Sequence, residues 1–418
     1  MRIIKRMLMT GMLMAAVFFL AQIPVRASSS LPNVKAKSAL AMDAKTGQVL
    51  YKKNIDKPMA IASISKLMTI YIVHQQIADH KLSWDSKVKI SQNISDLSTA
   101  AELTNVPLTA GRSYSVRSLV KASLIESANA AVIALGNKVA GSQARFAKQM
   151  NQTAKKMGIK HAQFYNAAGL TNKLTGKLEL KSASPNAENK LSARGIGILA
   201  KQLLKKYPRI TEVTSKQQFQ FDGKTYDGHN QLLGNNQWLP KSIKVDGLKT
   251  GTSDQAGSCF VGTATTRGRK LVTVVLGTRN NGATDPARYI QTAKLLKWVR
   301  KNHQPVVIDK GVSLTGAKHI KVDNAKDQTV KLVTASRTWV WLPISKSFKV
   351  TGKFLKKEKH LKAPIKTSKE LATANLMLNG KKFSSITPQM AKVDLVASKK
   401  VEKANPFVLA WRAVTSWF

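Results

Sequence analysis

Ile61-Ala62-Ser63-Ile64-Ser65-Lys66-Leu67-Met68 sets a serine and a lysine three residues apart at the head of a long apolar run. From Ser63 to Ala78 the apolar positions Ile64, Leu67, Met68, Tyr71, Ile72 and Ile77 mostly keep helical spacing. The stretch therefore predicts a buried helix beginning at or near Ser63. On such a helix Lys66 lies one turn from Ser63 on the same face. A serine hydroxyl is a poor nucleophile until a base takes its proton. A lysine with a pKa of ~10.4 becomes that base only where burial and a nearby cation depress it.

Two further motifs follow in order, Ser127-Ala128-Asn129 and Lys249-Thr250-Gly251. The first falls between two helical patterns, Val116–Ile125 and Ala130–Val139. There Ser127 is placed to relay a proton between Lys66 and a leaving amine, and Asn129 to hold a substrate amide. The second lies on a predicted strand, Val245–Thr252, where Gly251 permits close approach and Lys249 is a candidate for the depressing cation. The strand edge can pair with an extended peptide, and the N–H groups of Ser63 and Thr252 form a candidate oxyanion hole. Lys249 and Thr250 would attract a substrate carboxylate. Each motif alone is weak, since S-x-x-K recurs at Ser86-Lys89 and Ser118-Lys121, and S-x-N at Ser91-Asn93 and Ser184-Asn186. A second K-T-G, Lys45-Gly47, precedes the nucleophile and reads as a hairpin tip between strands Ser38–Met42 and Gln48–Lys52. Lys87, Lys89 and Lys121 read as exposed charges, and Ser91-Asn93 and Ser184-Asn186 as polar loop.

Across 418 residues, 68 Lys+Arg oppose 22 Asp+Glu, a formal charge of +46. Such a surface seeks polyanions. The basic residues are spread along the chain without a stripe interleaved with aromatics, which disfavours nucleic acid. Arg2, Lys5 and Arg6 before the apolar run Met7–Leu20, with Val25-Arg26-Ala27 after it, read as a signal peptide over residues 1–27. Export is therefore expected, and anionic envelope polymers become the natural counterpart of the charge. Cys259 is the only cysteine, excluding an intramolecular disulfide, and its apolar setting reads as burial. The seven histidines show no metal-ligand spacing, so neither a metal nor another cofactor is expected.

Further helices are predicted at Ala144–Met157, Ser192–Lys205 and Pro286–Lys301, and further strands at Gly257–Thr265 and Lys270–Gly277 joined by a hairpin at Arg267-Gly268-Arg269. Helices flanking an antiparallel sheet give an α+β catalytic domain over residues 31–303. Short strands at Pro305–Asp309, His319–Val322, Thr329–Leu332, Thr338–Leu342 and Phe348–Gly352 then predict a small all-β domain over 304–396. Residues 397–418 read as a basic linker and an amphipathic helix from Pro406, with Phe407, Trp411, Val414 and Trp417/Phe418 on one side. A 13-residue helix reaches ~20 Å, short of a ~30 Å hydrocarbon core. An in-plane membrane anchor beside Lys399, Lys400 and Lys403 is the expectation, with packing onto the protein as the alternative.

The ordered motifs, with Asp43-Ala44-Lys45-Thr46-Gly47, Asn166 to Leu170, Ala187-Glu188-Asn189 and Asp246 to Thr252, resemble those of the serine D-alanyl-D-alanine carboxypeptidases, the low-molecular-mass penicillin-binding proteins of peptidase family S11. The resemblance covers nearly all of the chain after the signal. It implies a β-lactamase/transpeptidase-like domain, a C-terminal β domain and an amphipathic tail on the outer face of the cytoplasmic membrane. It also implies removal of the terminal D-alanine from peptidoglycan stem pentapeptides through a Ser63 acyl-enzyme, and covalent trapping by β-lactam antibiotics. Ser63, Lys66 and Ser127 would be catalytic, and Asn129, Lys249, Thr250, Gly251 and Thr252 substrate-binding. An arginine before the last helix of the catalytic domain often helps bind the terminal carboxylate in this family, and Arg288 fits that place better than Arg279. Two features depart from familiar members. Ser127 and Lys249 stand further apart, through expected loop insertions near Thr171–Ser184 and Phe221–Trp238, and the third motif continues into Thr252. A DD-endopeptidase uses the same residues. A β-lactamase would need an E-x-x-L-N-like segment between Ser127 and Lys249, and none is present. The rival of another class is a non-catalytic envelope-binding protein.

Overall fold

The protein was analysed as a computed structural model that describes residues 30–282, 284–344, 348–358, 360–387 and 392–415. The signal peptide read over residues 1–27 lies outside the described residues, as do Trp417 and Phe418.

A five-stranded antiparallel sheet organises the first part of the chain. Its strands are β1 (Ser38–Asp43), β2 (Val49–Lys53), β3 (Lys244–Ser253), β4 (Gly257–Thr266) and β5 (Arg269–Thr278). They run β2-β1-β5-β4-β3, which leaves β3 terminal. All of β1 is buried because apolar side chains leave both faces. Leu40 and Met42 enter the larger core, whereas Ala39 and Ala41 meet Leu295, Leu296 and Val299 on the other side. This alternation is the period-two geometry of a strand covered on both faces.

The helices that matter are α1 (Lys66–Ala78), α2 (Val116–Leu124), α3 (Asn129–Ala140), α4 (Gln143–Lys156), α5 (Ala193–Lys206) and α6 (Ala287–Asn302). The first eight residues of both α1 and α3 are buried, as apolar composition all round requires. Ser115, Ser142 and Ser192 cap α2, α4 and α5 by accepting a backbone N–H. The predicted helices and sheet strands match these within a few residues. Ser91-Asn93 differs: Ser91 precedes a short helix, Gln92–Ser98, rather than lying in a loop. The expected insertions carry structure of their own, a 3-10 segment at Asn172–Leu178 and a hairpin, Gln218–Phe221 with Lys224–Asp227.

A second core, including Leu332, Ala374, Leu376 and Leu395, belongs to the all-β part that follows. Its main sheet orders His319–Lys321, Thr329–Thr334, Lys392–Ala397, Glu370–Leu378 and Val350–Lys357. The strands at 370–378 and 392–397 escaped the sequence reading, and Phe348–Gly352 is in fact the start of Val350–Lys357. Neither keeps a clean alternation: Glu370–Leu378 has a bulge between Glu370 and Ala372, with two successive buried residues, and Lys392–Ala397 ends on three, Leu395-Val396-Ala397.

The two parts are joined at the β1–β2 turn. Asp43, fully buried, accepts a fork from Arg269 (2.8 and 3.0 Å) and a hydrogen bond from Trp341 Nε1 (2.8 Å). Gln48 exchanges two hydrogen bonds with the Trp341 backbone, both 2.8 Å. The backbones of Gly47 and Val49 pair with Ile386 and Ser384. A last helix, Pro406–Thr415, leaves Phe407 (84 %) and Trp411 (70 %) exposed, while Arg412 donates to the carbonyls of Ala325 and Lys326. Among the described residues no helix is long and apolar enough to cross a membrane.

Candidate active site

Ser63 sits in a 3-10 turn, Ala62–Ser65, that runs directly into α1. Lys66 is fully buried, and its Nζ donates to Ser63 Oγ at 2.6 Å, Asn129 Oδ1 at 2.7 Å and the Ala168 carbonyl at 3.2 Å. Three acceptors saturate an ammonium; a neutral amine can instead accept from the Ser63 hydroxyl. Burial pushes the Lys66 pKa well down, and the charge of Lys249 pushes it further. This is the combination that turns a lysine into a base at neutral pH.

Backbone strain marks the same place. Nine non-glycine residues among those described have positive φ, and only Ala62 (φ 45°) and Ser127 (φ 70°) are buried. Each left-handed residue costs on the order of 1–2 kcal/mol and persists where its surroundings over-determine it. Here the surroundings are identifiable. Asn189 O receives the Ile61 amide, Thr104 O that of Asn129, and Asn105 Oδ1 that of Ala130. Each turn is thus held to a neighbouring loop, Asn129 Oδ1 on Lys66 links the second motif to the first, and Ser127 is buried on the turn that leads into α3.

Asn129 has a different placement from the expected substrate contact. Its oxygen accepts from Lys66, and its nitrogen donates to Thr104 O at 3.0 Å. Both ends of the amide are engaged, so in this structure it orients the lysine.

β3 brings the third motif against the nucleophile turn. A Cβ on Gly251 would stand 2.8 Å from the Ile61 carbonyl oxygen and 3.2 Å from the Ile64 nitrogen. Only glycine allows that approach. Lys249 is buried, with its pKa pushed down to about 7 by burial and by Arg288, against an opposing pull from Glu126. Thr250 is buried beside it, and its Oγ1 accepts from Lys249 Nζ at 3.4 Å. Thr252 is exposed at the strand end.

Arg288, from α6, lies behind this strand rather than in the cleft. It donates to the carbonyls of Gly251 (3.0 Å) and Cys259 (3.3 Å), to Thr252 Oγ1 (2.6 Å) and to Ser258 Oγ (2.8 Å). Its terminal nitrogens are thus occupied, and it reaches the cleft through the Thr252 hydroxyl. Arg279 instead pairs with Asp285 at 3.3 Å. Cys259 is buried, and its thiol is pushed up to about 11, the setting of an inert small hydrophobe.

Two supporting elements lie in stretches that carry the family resemblance, Asn166 to Leu170 and Ala187-Glu188-Asn189, but had no role assigned from the sequence. Asn166 Oδ1 gathers the amides of Ala168, Gly169 and Leu170, shaping the loop that presents Ala168 O to Lys66. A Cβ on Gly169 (φ 82°) would fall 1.9 Å from Ala62 O, so that loop presses directly on the nucleophile turn. An asparagine ahead of small residues and a glycine is a turn signature that could have been read. Glu188, buried, accepts from Thr171 Oγ1 (2.8 Å) and Ser253 Oγ (2.7 Å) and ties the end of β3 to the neighbouring loop. Its place in Ala187-Glu188-Asn189 marked the stretch, while its two hydroxyl partners come from positions 17 and 65 residues away.

The site therefore brings together a serine hydroxyl, the buried amine of Lys66 with its lowered pKa and the buried Lys249 beside the terminal strand of the sheet. Comparison with known proteins agrees with that chemistry. A family model described as D-alanyl-D-alanine carboxypeptidase matches residues 25–280, and one described as penicillin-binding protein 5, C-terminal domain, matches residues 304–403. The D-alanyl-D-alanine carboxypeptidase DacF of Bacillus subtilis is 28 % identical over 383 residues, covering 92 % of this chain and 90 % of the relative. A crystal structure of a peptidoglycan synthesis regulatory factor (PBP3) from Streptococcus pneumoniae superposes with a TM-score of 0.75 at 31 % identity, over 88 % of this chain and all of that one. Penicillin-binding protein D2 of Listeria monocytogenes, in its ampicillin-bound form, aligns at 33 % identity with a TM-score of 0.52, over 64 % of this chain and 98 % of that one. The chain belongs to the D-alanyl-D-alanine carboxypeptidase family of penicillin-binding serine peptidases.

Proposed function

We propose that the protein is a serine carboxypeptidase that removes the terminal D-alanine from peptidoglycan stem pentapeptides through a Ser63 acyl-enzyme. The observation that carries this reading is the 2.6 Å contact between Ser63 Oγ and the fully buried Lys66 amine. Ser63 Oγ attacks the carbonyl carbon of the penultimate D-alanine while its proton passes to Lys66. The resulting oxyanion is met by the N–H groups of Ser63 and Thr252, which cost no reorganisation as charge develops. Ser127 returns the proton to the leaving amine, the C–N bond breaks, and D-alanine departs. Water then hydrolyses the ester and regenerates Ser63. Lys249, with the hydroxyls of Thr250 and Thr252, receives the terminal carboxylate, and Arg288 holds Thr252 from behind. The substrate lies extended along the free edge of β3, with Gly251 giving it room. Asn129 is a positioning residue for Lys66 in this scheme.

β-Lactams would enter the same path and stop at the ester, consistent with the ampicillin-bound relative. We further propose catalytic, β and tail units at residues 31–303, 304–396 and 397–418, and a place outside the cytoplasmic membrane. The exposed aromatics of Pro406–Thr415 favour an in-plane anchor over packing onto the protein. The charge of +46 suits anionic wall polymers.

The test combines intact mass spectrometry after penicillin treatment with release of D-alanine from a synthetic peptide ending in D-Ala-D-Ala. A penicilloyl adduct mapped to Ser63, absent in Ser63→Ala, together with released D-alanine is the expected result. No adduct and no D-alanine would leave an envelope-binding role and overturn the proposal.

A further inference from the structure

The far end of α1 walls a groove of about 900 Å³ that has no part in the chemistry above. Gln75 lies nine residues beyond Lys66, ~14 Å along the helix axis. Five glutamines line the groove: Gln75 and Gln76 from α1, Gln149 and Gln152 from α4, and Gln202 from α5. All are at least partly exposed, and none of their carboxamides has a hydrogen-bond partner among the described residues. The buried glutamines, by contrast, are used within the fold. Gln48 bridges to Trp341, Gln143 donates to Ile133 O and Asn137 Oδ1, and Gln291 accepts from the Lys35 amide.

Charge in the groove is one-sided. Arg145, Lys148 and Lys156 from α4 and Lys206 from α5 face a single lining carboxylate, Asp79. Neither Lys148, Lys156 nor Asp79 is in an ion pair among the described residues. Tyr71 is buried at the base, with Lys206 Nζ 5.6 Å from its ring centre.

A carboxamide donates and accepts at once, which matches a hydroxyl; an ammonium or guanidinium matches a phosphate or carboxylate. A neutral glycan would leave the cations without a counter-charge, and a bare polyphosphate, which only accepts, would leave the carboxamide oxygens unused. A chain in which hydroxyls alternate with anions uses both. We propose that this groove binds an anionic polyol polymer of the polyol-phosphate class. Bound there, the polymer leaves the Ser63 cleft open. The site does not depend on the reaction proposed for Ser63, so binding and D-alanine release test separate statements.

The full chain is titrated at ~150 mM salt, where distant surface charges are screened, with poly(glycerol phosphate), with polyphosphate of matched charge, and with dextran. Poly(glycerol phosphate) is expected to bind ~10-fold tighter than polyphosphate, and dextran not measurably. Gln75→Ala/Gln152→Ala/Gln202→Ala should lose ~10-fold of that affinity, the scale of a few net hydrogen bonds. Its polyphosphate binding should fall by no more than about threefold, since only the amide donors are then lost, and D-alanine release and melting temperature should stay unchanged. Lys148→Ala/Lys156→Ala should weaken both polyanions. Equal affinity for the two polyanions, an unaffected glutamine triple variant, or an equal loss from Lys353→Ala/Lys356→Ala on the distant β part would overturn the proposal and leave general charge attraction.

Discussion

The tripeptide Lys-Thr-Gly occurs twice in the fold, and the two copies share nothing but their letters. At the β1–β2 turn Lys45 is exposed, Thr46 donates its hydroxyl and its amide to Asp43, and Gly47 supplies a positive φ of 73°. On β3 Lys249 is buried, Thr250 is buried beside it, and Gly251 lets the strand touch the nucleophile turn. The first copy organises a junction between two parts of the protein; the second lies against the turn that carries Ser63. A lysine becomes chemically useful when water is removed from it and another charge is placed near it, and neither condition is written in the three residues themselves.

That contrast can be broken most decisively at the lysines. Lys249→Ala should reduce kcat/KM for a D-Ala-D-Ala peptide by ~10²–10³-fold, since it removes a preorganised cation from a dry site. Lys45→Ala should stay within about twofold and shift stability by less than ~0.5 kcal/mol. Parallel steady-state kinetics and thermal melts decide the pair, and equal losses would erase the distinction.

The next largest effect belongs to the junction. Asp43→Asn leaves the Arg269 guanidinium without its buried partner and should cost ~3 kcal/mol in calorimetry. The rate of penicillin acylation at 25 °C should be retained, because Asp43 lies at the turn and not in the cleft. A lost acylation rate with an unchanged melt would reverse the assignment.

The mildest effect is in pH. Lys249 keeps its charge below its pKa of about 7 and loses it above, so kcat/KM should fall on the alkaline side of that value. Lys249→Arg, permanently charged, should move this limb upward. Stability runs the other way. The unfolded lysine holds its proton to ~10.4, so from about pH 7 to ~10.4 the unfolded state binds more protons, and the folded state gains as pH rises. Lys249→Met should remove that part of the slope in melts taken across the range, and an unchanged slope would place Lys249 outside the dry interior.

Much of this was legible beforehand. α1 and α3 carry apolar residues over most of their length, and the three long strands β3, β4 and β5 are separated by short polar turns, so element type and order followed from local pattern. The C-terminal strands were less visible because a bulge at Glu370/Ala372 and the buried run Leu395-Val396-Ala397 break their alternation. Roles inside the site were legible by type and motif order, yet two of them changed partner. Asn129 turned to Lys66, and Arg288 went behind the strand. Both shifts follow from satisfying buried polar groups, a condition set by neighbours distant in sequence such as Thr104 and Ser258.

The sequence by itself determined the hydroxyl, the amines, the glycine and their order, together with the periodicities that make helices and strands, because these depend on residues within a turn or two. Tertiary structure alone decided which Lys-Thr-Gly is buried, how far the Lys66 and Lys249 pKa values fall, and where five unpartnered glutamines converge. Those properties depend on desolvation and on charges brought together from α1, α3, α4, α5, β3 and α6. Burial and convergence belong to the packed molecule, and no local stretch of chain contains them.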